Sequence, residues 1–253
     1  MNLIQEELLA AKAFAPDTYD DAEGLVKLTR ENIAKAEMMV ANDSRYMVGK
    51  EPTWNSNGKI TYAEPSSHWL RRLGKELLNP TGMDDDEYSE IIKQAVAAID
   101  RENSAHLNAD GKGREELASR IASLERPTLL RYLKRPGETE YELIEILRQQ
   151  THPEPPRRPR SNLSFASKFC HYACYNIFED RDEQDNYPIY DSVVKRALPM
   201  YVEYFGLRKR SQNALGDYAT YRACIDEVIA HAKEPISRNG FDHLIWYYYK
   251  GRI

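Results

Sequence analysis

Two side chains in the C-terminal third have the chemistry to work as a pair. Lys168 ends the stretch Ser164-Phe-Ala-Ser-Lys168, and Asp191 ends the stretch Tyr187-Pro-Ile-Tyr-Asp191. A neutral primary amine attacks an electrophilic carbon and can go on to form an iminium. A carboxylate beside it can accept the amine's proton and support positive charge developing on that carbon. Each residue also has an ordinary reading. A lysine opposite the apolar stripe of a helix is commonly just solvated, and an aspartate ahead of a helix is commonly its cap.

The elements that must position them can be read around each one. Residues 162–178 fit a helix whose core face carries Ala166, Phe169, Cys170, Ala173 and Ile177. Lys168 falls opposite, with Ser164, Tyr172 and Tyr175, and with His171 at the edge of that face. The flanking tyrosines suit the partly covered wall of a cleft, which makes His171 and Tyr172 candidates for touching a substrate. After the polar run Glu179–Asn186, Pro188 biases Tyr187 away from helix. Asp191 then stands at the mouth of a helix over 192–205, with Pro199 inside it.

Ser164-Phe-Ala-Ser-Lys168 followed by Tyr187-Pro-Ile-Tyr-Asp191 resembles the catalytic segment of the helix–hairpin–helix (HhH-GPD) DNA glycosylase superfamily. The flavour is that of bacterial 8-oxoguanine DNA glycosylase-like proteins. The resemblance implies an all-α glycosylase-like fold, DNA as partner, and base excision through a Schiff base with no metal or other cofactor. Lys168 would be the nucleophile, and Asp191 the carboxylate capping the next helix. They stand 23 positions apart, a few more than is usual in the family, and the acidic run at 179–186 can absorb the difference. In the glycosylases a late helix lines the base pocket, which here implies Asp242, His243 and Trp246. Ordinary packing of a C-terminal helix is the other reading of these three.

The chain departs from the family pattern ahead of the lysine helix. A glycine-rich hairpin there should bind a DNA phosphate through backbone amides, but Arg158-Pro-Arg-Ser-Asn-Leu-Ser164 has no glycine. Either Arg157, Arg158, Arg160, Ser161 and Ser164 hold the phosphate differently, or duplex binding is weakened or lost. The alternative function is therefore a non-catalytic nucleic-acid-sensing or protein-interaction module, of the kind found in bacterial anti-phage defence systems, with protein partners from such a system.

Helical periodicity also marks residues 3–14, 20–41, 66–78, 87–105, 114–124, 217–233 and a last helix from Asn239, with another opening at Pro127. Thr139-Glu-Tyr-Glu142 fits a capping box for 140–150. Residues 43–65 read as a long loop holding a short hairpin near Asn57-Gly58. Four prolines and three arginines make 151–160 a stiff basic connector. The expected division is thus 1–150, connector 151–160, and catalytic helices 161–253.

Composition narrows the class of protein. A length of 253 residues suffices for one large domain or two small ones, and no apolar run is long enough to cross a bilayer. The N-terminus lacks a signal-peptide pattern, so a cytoplasmic protein is expected. A net charge of −5 argues against indiscriminate nucleic-acid binding but leaves room for local basic patches. Three cysteines are too few for a disulfide framework. Cys170 and Cys174, one helical turn apart beside His171, fit buried core thiols better than a metal site.

Overall fold

The structure, a computed structural model, describes residues 15–19, 24–42, 51–54, 60–103, 107, 112–149, 151 and 161–253. The expected helix at 3–14, the connector from 152 to 160 and the hairpin turn at 55–59 lie outside these residues. Helices dominate the rest. In chain order they are α1 (Arg30–Asn42), α2 (Ser66–Leu78), α3 (Asp85–Asn103), α4 (Lys112–Ala122), α5 (Arg126–Lys134), α6 (Glu142–Arg148), α7 (Leu163–Ile177), α8 (Arg181–Gln184), α9 (Ser192–Tyr204), α10 (Tyr218–Ala230) and α11 (Arg238–Tyr249). One antiparallel hairpin, β1 (Glu51–Trp54) and β2 (Ile60–Ala63), pairs Glu51 with Ala63 and Trp54 with Ile60.

The compact units do not follow the expected division at 151–160. One unit joins the described parts of 1–47 to 188–253, and the other spans the described parts of 48–187. The lysine helix α7 therefore belongs with the helices that precede it, whereas Asp191 belongs with the C-terminal helices and α1.

In the 48–187 unit, α2 and α7 approach closely because Gly74 has no side chain. A Cβ there would stand 3.0 Å from Ile177 Cγ1 and 3.2 Å from the Ile177 Cα. The backbone of α7 cannot retreat cheaply, so overpacking outweighs the gain in helix propensity. Gly74→Val is expected to lower the melting temperature by on the order of 5–10 °C. An unchanged thermal melt would show that the spacing of the two helices is not set at this residue.

An ion pair with a buried carboxylate links α2, α3 and α5. Glu76, fully buried on α2, accepts from the Thr81 amide at 2.9 Å and the Thr81 hydroxyl at 2.7 Å, and from Arg126 Nη1 at 3.0 Å. The Thr81 amide and hydroxyl lower its pKa first, and Arg126 adds to them against the opposing effect of burial. Arg126 also donates to the Met83 carbonyl at 2.7 Å and lies over the Tyr88 ring, 4.7 Å from its centroid. Glu102 receives the Ser66 amide at 2.7 Å and the Ser66 hydroxyl, and Ser66 is the first residue of α2, with Pro65 at the capping position. The expected capping box at 139–142 is also absent. Pro136–Thr139 form a 3-10 turn, Glu140 and Tyr141 take left-handed conformations, and α6 starts at Glu142 without a side-chain cap.

In the other unit, residues 24–29 are extended and not the start of a helix. Gly24 turns the chain at φ +76°, and Val26 then bridges Thr18. Leu25 and Leu28 are buried from this extended segment, which mimicked helical spacing in the sequence. Buried Asn32 locks the arrangement, donating to the Asp17 and Lys27 carbonyls at 2.9 Å each and accepting from the Asp17 amide at 3.0 Å. Tyr201 of α9 donates to the Val26 carbonyl at 2.9 Å, and Tyr249 of α11 donates to the Gly24 carbonyl at 3.1 Å.

Candidate active site

Lys168 is half-buried on α7, between buried Ser167 and Phe169. It is the one basic residue in Leu163–Ile177, a helix with no acidic residue. Ser164 and Tyr172 are half-buried and Tyr175 is 52% exposed, so the polar face lies where the periodicity put it. Ser161 is exposed. Arg157, Arg158 and Arg160 lie outside the described residues.

His171 is not at the edge of that face. It is 3% exposed, and its Nδ1–H donates to the Tyr187 carbonyl at 2.9 Å. The Tyr172 ring stands edge-on to it with centroids 5.2 Å apart. His171 thus ties α7 to the start of the Tyr187-Pro188 turn, a structural duty that leaves its ring away from solvent. Burial lowers its pKa to about 4, against the upward pull of the Tyr187 hydrogen bond. Between that value and the unfolded value near 6.5 the unfolded chain binds the extra proton, so stability must fall as pH falls through this window. The loss approaches about 3 kcal/mol at the acid end. Urea unfolding at pH 7 and pH 4.5 measures it, and His171→Gln should flatten the difference. Parallel behaviour of variant and wild type would contradict it.

Cys170 and Cys174 are fully buried, with both thiol pKa values raised by burial, and Cys174 Sγ donates to the Leu133 carbonyl at 3.4 Å. They are core thiols. The run at 179–186 is not simply a polar loop. Asp180 caps the short helix α8 through the Asp182 and Glu183 amides, and Asn186 Nδ2 donates to the Leu133 carbonyl at 2.9 Å and the Lys134 carbonyl at 3.1 Å, closing the end of α5.

Asp191 caps α9 as its position predicts, with Oδ1 accepting from the Val193 amide at 2.6 Å. The turn before it is held by two tyrosines of α10 that sequence reasoning did not single out. Tyr218 donates to the Pro188 carbonyl and Tyr221 to the Ile189 carbonyl, each at 2.8 Å. Their i, i+3 spacing on one helix face was the available signal. Tyr221 is fully buried, and burial, then the charges of Asp242 and Asp191, raise its pKa well above the ordinary value.

No family model, curated protein or solved structure matches this chain.

The remaining predicted residues lie on α11. Asp242 is 7% exposed, and its charge adds to that of Asp191 in raising the Tyr221 pKa. His243 and Trp246 are half-buried, and Lys250 Nζ lies 3.7 Å from the Trp246 ring centroid. Structure therefore groups Lys168, His171 and Tyr172 in one unit, and Asp191, Asp242, His243 and Trp246 in the other. The basic stretch Arg208–Arg210 carries less available charge than its sequence implies. Lys209 pairs with Glu203 at 3.0 Å, and Arg210 pairs with Glu227. No described helix is long and apolar enough to cross a membrane.

Proposed function

We propose that the protein is a DNA glycosylase/AP lyase-like enzyme of the helix–hairpin–helix kind, acting on a modified base through Lys168. The observation that carries the reading is the setting of Lys168. It is half-buried on a helix that carries no other Lys, Arg, Asp or Glu, and it is followed in sequence by a held turn that ends in Asp191.

In this reading the target nucleotide is rotated out of the stack, at a cost of a few kcal/mol. The neutral Lys168 amine forms a bond to the sugar C1′ as the C1′–N bond to the base breaks, and the base leaves with that electron pair. Asp191 supports the positive charge on the sugar and takes the proton that the attacking nitrogen releases. Ring opening gives the iminium, and β-elimination from it nicks the strand. Asp242, His243 and Trp246 of α11 are the residues proposed to contact the base.

A non-catalytic sensing or interaction module is the second reading, favoured by the net charge of −5 and by the absence of glycine from residues 158–164. Borohydride trapping on oligonucleotides bearing 8-oxoguanine, uracil or an abasic site separates the two. The enzyme reading predicts a covalent protein–DNA adduct, and the module reading predicts none on any of them.

A further inference from the structure

We infer that Tyr221 is a positioning residue for Asp191, an inference that rests on the proposed role of that carboxylate. The Tyr221 phenol holds the chain on the N-terminal side of Asp191. Its hydroxyl donates to the Ile189 carbonyl at 2.8 Å. The Tyr190 ring packs on the Tyr221 ring with centroids 4.9 Å apart. One phenol thus fixes the peptide ahead of Tyr190 and packs on the ring of the residue that leads into the carboxylate. Tyr218, one helical turn earlier on α10, donates to the Pro188 carbonyl, farther back along the turn.

This fixation matters because, among the described residues, the Asp191 side chain is held by the 2.6 Å bond from the Val193 amide of the helix it caps. With the backbone free to shift, the cap bond alone would swing the carboxylate with α9. With the Ile189 carbonyl and the Tyr190 ring both held by Tyr221 of α10, the approach of the chain to Asp191 is fixed. Both phenols are fully buried, so removing either hydroxyl leaves a buried carbonyl without its donor. The Tyr221 change frees the carbonyl two residues before Asp191, and the Tyr218 change the one three residues before it.

Tyr221→Phe and Tyr218→Phe are therefore a matched pair, each deleting one buried hydroxyl from α10. Tyr221→Phe is expected to slow single-turnover trapping about 100-fold, the scale of a 1 Å misplacement, while DNA affinity changes less than about 2-fold. Tyr218→Phe, with a comparable melting temperature, should lose less than about 5-fold. In an Asp191→Asn background Tyr221→Phe should cost nothing further, because the group it positions is already disabled. Amide hydrogen exchange at Asp191 should rise in Tyr221→Phe and not in Tyr218→Phe. Equal losses in the two variants, additivity with Asp191→Asn, or unchanged exchange at Asp191 would each overturn the inference. If the wild type traps no DNA, the enzyme reading is what fails, and the exchange comparison still decides whether Tyr221 pins the Asp191 backbone.

Discussion

Lys168→Gln is expected to lose covalent trapping by on the order of a thousand-fold or more while remaining folded. Glutamine has nearly the helix propensity of lysine and a similar stem, so α7 keeps its shape. Its amide nitrogen is not a nucleophile at neutral pH and cannot become an iminium, so no adduct can be reduced. The half-buried setting of Lys168 makes the substitution a change of chemistry more than of packing. Binding of undamaged DNA should change by no more than the loss of one cation allows, and its salt dependence should fall accordingly. A variant that still traps at the wild-type rate would assign the chemistry to another amine.

Arg126→Met is expected to be the most damaging single change to the fold. Glu76 would remain fully buried with its Thr81 bonds but without the cation at 3.0 Å, and the Met83 carbonyl would lose its 2.7 Å donor. Removing one member of a buried pair leaves an uncompensated charge, which is far worse than replacing both members. Melting temperature should drop by roughly 10 °C or more. The double change Arg126→Met with Glu76→Gln should recover part of that loss. If the single variant melts like the wild type, this cluster does not hold α2, α3 and α5 together.

Much of the helical framework was legible because burial imposes a period that the sequence displays. Leu70, Leu73 and Leu77 on α2, and Ile91, Ile92, Ala95 and Val96 on α3, repeat at helical spacing and are buried. The acidic opening of α3 at Asp85, Asp86 and Glu87 follows the helix dipole, and the Asp191 cap follows from Pro188 and the polar run before it. What stayed hidden depends on partners distant in the chain. Leu25 and Leu28 sit at helical spacing, yet their segment is extended because Asn32 captures the backbone at Asp17 and Lys27. His171 read as a face residue because nothing nearby in sequence announces the Tyr187 carbonyl, 16 positions on. Tyr218 and Tyr221 were not singled out in the sequence because their hydroxyl partners lie 30 and 32 positions back. The same logic hid the union of the N-terminal segment with the C-terminal helices, since long-range pairing leaves no local period.

Peptide mapping by mass spectrometry of the borohydride-fixed complex, after nuclease digestion, tests the proposed roles of Lys168 and Asp191 most directly. The account predicts a reduced sugar remnant on the peptide carrying Lys168, with a slower yield in Asp191→Asn. A remnant on a different amine, or an unmodified Lys168 peptide after exposure to 8-oxoguanine, uracil and abasic substrates, would contradict it.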